Sequence, residues 1–407
     1  MRRLALTLLL TATPALAQVP GPPLTLDAAI EMARRSSPSP AAASAGVDAA
    51  AAGRRIAGQR PNPTVAVDVE NVGGARAFNV VEAPKQTVSL AYPLELGGKR
   101  SARIGVADAL GARAAIDRAT IDADLRLGVT QAYTDALAAD RRLATTQEQA
   151  RIAADSSRAA QIRVHAGRAS PLEESRAGVI RSNADLAVEQ ATRLATAARA
   201  TLALRIGGAF TSPLEMDWFD RIGGGGSRAG SGALAVAAAR GDVATATAQE
   251  RLARSQRIPD VTVSAGVRRV PMVGSTAAVL GLSVPLPLFN GGRAAIEQAG
   301  AERRRAEALA QAAELEANGA TIKAEAERDN AASAARVANG PALAGAQESA
   351  RIARIGYREG KFGQLDLLEA ERALAETRGA AIDALASYHN AQARLDRLTT
   401  PYDGATK

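Results

Sequence analysis

The chain is poor in side chains that do chemistry. Its 407 residues include no cysteine and only two histidines, His165 and His389. Without cysteine there is no disulfide, no thiolate metal site, no Cys nucleophile and no N-terminal lipid-modified Cys. With two imidazoles and no thiolate, a zinc or copper site is hard to assemble. Both histidines are expected to be ordinary surface or packed residues, a transient metal contact being the sharper alternative. Gly97-Gly98-Lys99-Arg100 has the look of a phosphate loop, yet Arg100 replaces the required Ser/Thr and Pro93 stands where the first Gly should be. Gly223 to Gly226 has no Lys-Ser/Thr after it. No Ser–His–acid set is signalled by spacing. The expectation is no enzyme, no catalytic residue, no metal site and no cofactor.

Charge points the same way. Fifty basic residues against 42 acidic give a net +8, and removing Arg2 and Arg3 with a leader leaves +6. The basic residues are scattered among acids, with neither a concentrated patch nor interleaved aromatics, so no nucleic acid partner is expected. The leader itself is legible. Arg2-Arg3 is a positive n-region, Leu4 to Leu10 a short apolar stretch, and Ala15-Leu16-Ala17 a small-residue cleavage site, so the mature chain would begin near Gln18. No later segment reaches 18 apolar residues, so no membrane-spanning helix is expected; an exported chain could still cross an outer membrane as strands.

The elements that carry these residues are written twice. Ser89-Leu90-Ala91-Tyr92-Pro93-Leu94-Glu95-Leu96-Gly97-Gly98-Lys99-Arg100 is echoed by Leu282-Ser283-Val284-Pro285-Leu286-Pro287-Leu288-Phe289-Asn290-Gly291-Gly292-Arg293. Arg60 to Val65 is echoed by Arg257 to Thr262, and Ala166 to Glu173 by Glu359 to Asp366, each about 195 residues on. Three echoes in the same order point to an internal duplication. The expected organisation is a signal peptide at 1–17, a first repeat at 18–221, a Gly-rich linker at 222–232, and a second repeat at 233–407 with a short C-terminal tail.

Each repeat follows one plan. A helix of moderate length comes first, near Leu26 to Gln59 and near Ala233 to Arg254, with Thr25 as N-cap and Asp27 in the first turn of the former. Two strands follow: Thr64 to Val72 and Thr87 to Leu94, then Val261 to Val267 and Val279 to Leu286, read from their period-two alternation. Very long helices run from Lys99 to His165 and from Arg293 to Tyr357, the second containing Pro341 near its end. At ~1.5 Å per residue each is on the order of 100 Å long. After a turn, Leu172 to Ile206 and Leu365 to Leu398 run back. On the last helix Leu367, Leu374, Ala381, Tyr388 and Leu395 recur every seventh residue, with Ala370, Thr377, Ala384, Ala391 and Leu398 three places on, a heptad seam of large against mostly small side chains. Aromatics are only 3% of the chain, and an Ala-rich composition suits long helices with closely spaced axes.

Four strands of about 8–10 residues are long enough to cross a membrane when tilted. A sheet in lipid cannot leave its edges open, and the smallest single-chain barrels use about eight strands. Strands from several copies would therefore share one barrel, with the polar long helices standing outside lipid as a coiled-coil tube.

With that plan in view, the chain resembles the outer-membrane efflux protein (TolC-like) family over essentially its whole mature length. Arg60-Pro61-Asn62-Pro63, Glu70-Asn71-Val72-Gly73-Gly74 and Leu94-Glu95-Leu96-Gly97-Gly98-Lys99-Arg100 look most like its cobalt–zinc–cadmium resistance branch. The resemblance implies a fold that is mainly α with β: a long coiled-coil helical barrel plus four transmembrane β-strands per protomer, in a homotrimer whose β-barrel has twelve strands. It implies a place in the bacterial outer membrane, against outer-membrane lipid, with the helical tunnel in the periplasm. The implied partners are a periplasmic adaptor (membrane fusion) protein and an inner-membrane RND-type transporter.

The resemblance also assigns the helix–turn–helix tips. Gly167, Arg168 and Ser170, with Gly360, Lys361 and Gly363, match the adaptor-facing tips. Asp366 and Glu369 match two entrance-lining acids one turn apart, which threefold repetition would stack into acidic rings. Glu173 and Arg176 hold those places in the first repeat and break the acidic pattern. The plainer alternative is that Asp366 and Glu369 are first-turn acids favoured by the helix dipole. The expected function is a passive exit duct of a tripartite efflux pump for heavy-metal cations or drugs, driven by the inner-membrane partner. A type I protein secretion duct and a soluble periplasmic coiled-coil interaction protein are the alternatives.

Overall fold

In the computed structural model, residues 22–70, 84–223, 233–271 and 274–402 are described. The leader, Asn71 to Gly74, the linker beyond Gly223 and the tail beyond Tyr402 lie outside them. Leu26–Ser36 (α1) and Pro38–Ala57 (α2) are two helices where the sequence pointed to one reaching Gln59. Pro38 lacks an N–H and biases the residue before it toward extended backbone, so Ser37 sits at φ −72° and ψ 134° and its side chain caps α2 at Ser39 N. Thr25 caps α1 as expected, its Oγ1 accepting from Ala28 N at 3.2 Å.

The four strands are Thr64–Glu70 (β1), Lys85–Leu94 (β2), Val261–Val270 (β3) and Ser275–Ser283 (β4). They form one antiparallel sheet in the order β1-β2-β3-β4. β4 stops before the expected Leu286, because Pro285 and Pro287 have no N–H for a ladder.

Lys99–His165 (α3) is an unbroken helix of 67 residues with the expected bounds. It is followed by Pro171–Ile206 (α4), the short Met216–Asp220 (α5) and Ala233–Ser255 (α6). The second long helix is not continuous to Tyr357. Arg293–Val337 (α7) gives way to a π turn at Ala338–Ala342, and Leu343–Arg358 (α8) resumes beyond it. Pro341 removes a helical donor and its ring crowds the carbonyl four residues back, and Gly340 leaves helical geometry at φ −106° and ψ −106°. Gln364–Leu398 (α9) closes the fold, and Leu374, Ala381, Tyr388 and Leu395 of its heptad seam are buried.

The chain divides into two compact units, each drawing on both halves of the sequence. One lies within Met1–Ser36, Gly128–Gly224 and Asn330–Asn390; the other within Ser37–Leu127, Gly225–Asp329 and Ala391–Lys407. In the first, Tyr133, Leu137, Leu202, Ile206, Phe219 and Leu385 are the large buried side chains, and Tyr133 Oη donates to Leu24 O at 2.6 Å while accepting from Glu215 N at 3.0 Å. In the second, the helices bury mainly alanines such as Ala123, Ala246, Ala248, Ala317 and Ala324. Ion pairs such as Arg113–Asp242 (2.9 Å), Arg240–Glu314 (2.5 Å) and Arg303–Glu250 (2.8 Å) join them across the surface.

Candidate functional site

The sheet has two unlike faces. In register, Val65, Leu90, Ala265 and Leu280 form one row, and Val67, Val88, Val267 and Ala278 the next. Tyr92, Val263 and Leu282 continue the same face. Alternation turns the other rows to the opposite side: Thr64, Ala91, Ser264 and Gly281, then Asp68, Thr87, Arg268 and Ala277. On that polar side Arg268 Nε donates to Thr87 Oγ1 at 3.1 Å and Arg268 Nη2 lies 3.6 Å from Glu70 Oε1. The apolar side is unburied, with Val65 70% and Leu280 83% exposed. Apolar surface left in water costs about 25 cal/mol per Å², and a contiguous patch of this kind marks a lipid or protein contact. The next row is Val69, Gln86, Arg269 and Thr276, where three of the four side chains are polar.

Where β2 passes into α3, the Gly-Gly-Lys segment has a structural task. Gly97 turns the chain at φ +72°, and a Cβ there would stand 2.8 Å from Ile258 Cβ. Lys99 Nζ donates to Asp260 at 2.7 Å, and the same carboxylate accepts from Leu96 N at 3.1 Å. Glu95 accepts from Nη1 and Nη2 of Arg103, and Nη2 also donates to Gln59 O at 3.2 Å. The Arg103 hydrogen bonds hold the Glu95 carboxyl below its ordinary pKa. Burial works to raise Asp260, but the donors from Lys99 and Leu96 outweigh it and hold it low. The first-half motif and the second-half segment around Asp260 thus clamp one another, a pairing that spacing along the chain could not reveal.

The two helix tips close by the same device. Gly167 (φ +65°) follows α3, with Arg168 N donating to Arg163 O at 2.8 Å and Gly167 N to Val164 O at 2.9 Å. Gly360 (φ +71°) follows α8, with Lys361 N donating to Gly356 O at 2.8 Å and Gly360 N to Tyr357 O at 3.1 Å. Both are Schellman turns, which need a left-handed residue and so favour glycine. Ser170 Oγ then caps α4 at Leu172 N, 3.2 Å away. At the other tip Gly363 stands before α9 in place of a hydroxyl residue, and Asp366 reaches back to accept from Gly363 N at 2.9 Å. Asp366 and Glu369 are both exposed and share a face of α9 one turn apart. Ser349, Ile352, Ala353, Phe362 and Asp366 line a shallow groove at this tip. Two contacts that sequence reasoning missed brace the region: Arg163 Nη1 donates to Tyr357 Oη at 2.6 Å, and Arg354 pairs with Glu371, one of its two bonds 2.8 Å long. Tyr357 and Arg163 carry no motif of their own, so only packing brings them out.

The histidines are far from equivalent. His165 is exposed at the end of α3. His389 is buried, stacked on Trp218 at 4.1 Å and beside Phe219 and Tyr388, with Nε2 donating to Phe219 O at 2.8 Å. Burial pushes its pKa below the ordinary histidine value. Among the described residues, no group of three or more His, Asp or Glu is placed to hold a metal ion.

The sequence profile of the outer membrane efflux protein family matches residues 29–208 and 226–400. The chain is 31% identical over 388 residues to the cobalt-zinc-cadmium resistance protein CzcC of Cupriavidus metallidurans, covering 92% of this chain and 90% of that one. The nickel and cobalt resistance protein CnrC of the same organism is 32% identical over 292 residues, covering 69% and 68%. The crystal structure of the Campylobacter jejuni CmeC outer membrane channel matches with a TM-score of 0.76 at 13% identity, over 94% of this chain and 87% of that one, a likeness of fold.

Proposed function

The chain belongs to the outer membrane efflux protein family, and from that premise we propose that it is the exit duct of a tripartite pump expelling heavy-metal cations such as cobalt, zinc and cadmium. Its place is the outer membrane, and its family are passive channels rather than enzymes. That location sets aside the soluble periplasmic interaction protein. The observation that carries the reading is the four-stranded sheet, apolar on one exposed side, polar on the other, and with β1 and β4 at its edges. Four strands are too few to close alone, and edges cannot stay open in lipid. Three copies would supply twelve strands, apolar side to lipid and the Thr/Ser side to the lumen. The like Schellman turns at Gly167 and Gly360 favour an internal duplication at 18–221 and 233–407. Gly167, Arg168, Ser170, Gly360, Lys361 and Gly363 face the periplasmic adaptor, which couples the duct to an RND-type transporter in the inner membrane. Asp366 and Glu369 line the entrance, Asp366 also capping α9.

The reading is tested in a deletion strain challenged with cobalt, zinc and cadmium salts, and by the mass and conductance of the purified chain in detergent and planar bilayers. A trimer that conducts, with metal tolerance lost on deletion, is expected; a monomer that fails to permeabilise bilayers overturns it. Replacing Asp366 and Glu369 together by Ala is expected to leave assembly intact, raise conductance and weaken cation selectivity. Unchanged conductance and selectivity in that variant would remove them from the entrance.

A further inference from the structure

We propose that the segment between β4 and α7, Leu286 to Gly292, docks on the turn between α2 and β1 of a neighbouring copy, clamping each seam between copies where strands pass into helices. The inference rests on the reading that several copies share one barrel, and it names the surfaces by which they hold one another.

The chain already makes such a contact once within itself. The segment leaving β2 lies against the turn that enters β3, the strand hydrogen-bonded to β2. Leu96 N and Lys99 Nζ both donate to Asp260, at 3.1 and 2.7 Å, and Gly97 passes so close that a Cβ there would stand 2.8 Å from Ile258 Cβ. The turn before β3 also meets its own half, where a Cβ on Gly292 would stand 3.0 Å from Arg257 Cγ. It is therefore held from two sides. The turn before β1 is held from its own half in the same way: Arg100 Nε donates to Gly58 O at 2.6 Å and Arg103 Nη2 to Gln59 O at 3.2 Å. But β1 is an edge strand, so no strand of this chain brings a second segment to it. The segment leaving β4, the opposite edge, likewise has no neighbouring strand turn to rest on. Each edge lacks what the other offers.

The matching residues sharpen the fit. Counted back from the first residues of α3 and α7, Gly98 matches Gly292, at φ +71° and +72°, Gly97 matches Gly291 and Leu96 matches Asn290. Counted from the first residues of β1 and β3, Pro61 matches Ile258 and Pro63 matches Asp260. Gly291 has no heavy atom within 4 Å of the place its Cβ would take, so the close approach that demands glycine at 97 is missing around 291 within one chain. The chemistry changes with the partner. Glu95 matches Phe289, and Asp260 matches Pro63, so the acids of the internal clamp give way to apolar groups. Phe289 is fully exposed, and Leu286 and Leu288 are 74% and 78% exposed. A phenylalanine taken out of water hides about 150–250 Å². Pro285, Pro287 and a 2.9 Å bond from Leu288 N to Leu286 O hold the segment in shape, so docking orders little that is not already ordered. An apolar loop beside one open edge and a proline-flanked turn beside the other come together when those edges pair, as edges must in lipid.

The full chain is purified in detergent beside Gly291→Leu and Phe289→Ser. Gly291 is open and outside the left-handed range, and Phe289 is exposed, so each variant is expected to keep the helical circular dichroism of the parent. The trimeric fraction at equal dilution is expected to fall at least about tenfold in both. Because the chain has no cysteine, Asn290→Cys with Pro63→Cys, the places matched to Leu96 and Asp260, reports the contact directly. These residues flank the two edge strands, three strand spacings or about 14 Å apart in one chain, beyond the reach of a disulfide. Mild oxidation is therefore expected to give covalent dimers and trimers, and none from either single cysteine. A double-cysteine protein that is trimeric yet yields no covalent product overturns the docking and leaves the shared barrel standing. Gly291→Leu and Phe289→Ser proteins as trimeric as the parent also overturn it, and assign Phe289 to lipid. Covalent trimers that fail to conduct in planar bilayers keep the docking and remove the conduit reading. A parent that is monomeric, with a double-cysteine protein that stays unlinked, overturns both.

Discussion

The two long hairpins end alike and are built differently behind their ends. Gly167 and Gly360 close them with the same pair of hydrogen bonds. Yet α3 runs 67 residues without interruption, while its counterpart breaks at Ala338–Ala342. The turns agree because a reversal between two helices admits few backbone solutions, and glycine is the residue they share. The helix interiors are under no such constraint, so a proline can enter one and not the other. A second contrast lies within the helical unit itself. There Tyr133, Trp218, Phe219, Tyr388 and His389 form an aromatic knot, whereas toward the tips the buried side chains are mostly alanines. The aromatics stack together where α5 meets α9, whereas Tyr357 and Phe362 at the second tip stand apart from them.

The knot offers the largest test of that contrast. Phe219 is fully buried, and Phe219→Ala should destabilise by about 3–5 kcal/mol. Trp218 is the only tryptophan, so its fluorescence in a urea titration reports the knot directly. Ala160→Gly toward the tip, also buried, should lose only about 1 kcal/mol by the same measure; equal losses would dissolve the distinction between aromatic knot and tip. Next in size, giving α3 the sequence of its counterpart by Gln147→Gly/Glu148→Pro should cost about 3 kcal/mol, since proline in a helix interior removes a bond and clashes. The same urea titration measures it, and an unchanged midpoint would mean that an interrupted ladder in α3 carries no cost. The smallest effect is set by pH. Burial lowers the His389 pKa below 6.5, so the unfolded chain binds the proton more readily. The contribution is therefore complete above about pH 6.5 and is lost as pH falls from there toward the depressed folded value. Urea midpoints should fall on acidification in the parent more steeply than in His389→Gln, and parallel slopes would clear His389 of the effect.

Much of the architecture was legible because it rests on local rules. The bounds of α3 follow from an uninterrupted helical pattern between Gly98 and Gly167, and the strands from their alternation. The break at Ser37 was written in Pro38 and the end of β4 in Pro285, both local signals overridden by a longer periodicity. At the candidate site the tip residues and the acids at 366 and 369 are named by the family resemblance, which says nothing of the capping bond of Asp366 to Gly363. Arg163–Tyr357, Lys99–Asp260 and the His389 stack join residues far apart in the chain, so no local pattern announces them.

By itself, then, the sequence determined which segments are helix and which are strand, where the chain reverses, and that one side of the sheet is apolar, because backbone sterics and side-chain alternation act between near neighbours. Packing alone settled that His389 is buried beside Trp218 and that Gly97-Gly98-Lys99 meets Asp260. Those outcomes depend on which distant surfaces exclude water together, and that is settled by packing in three dimensions.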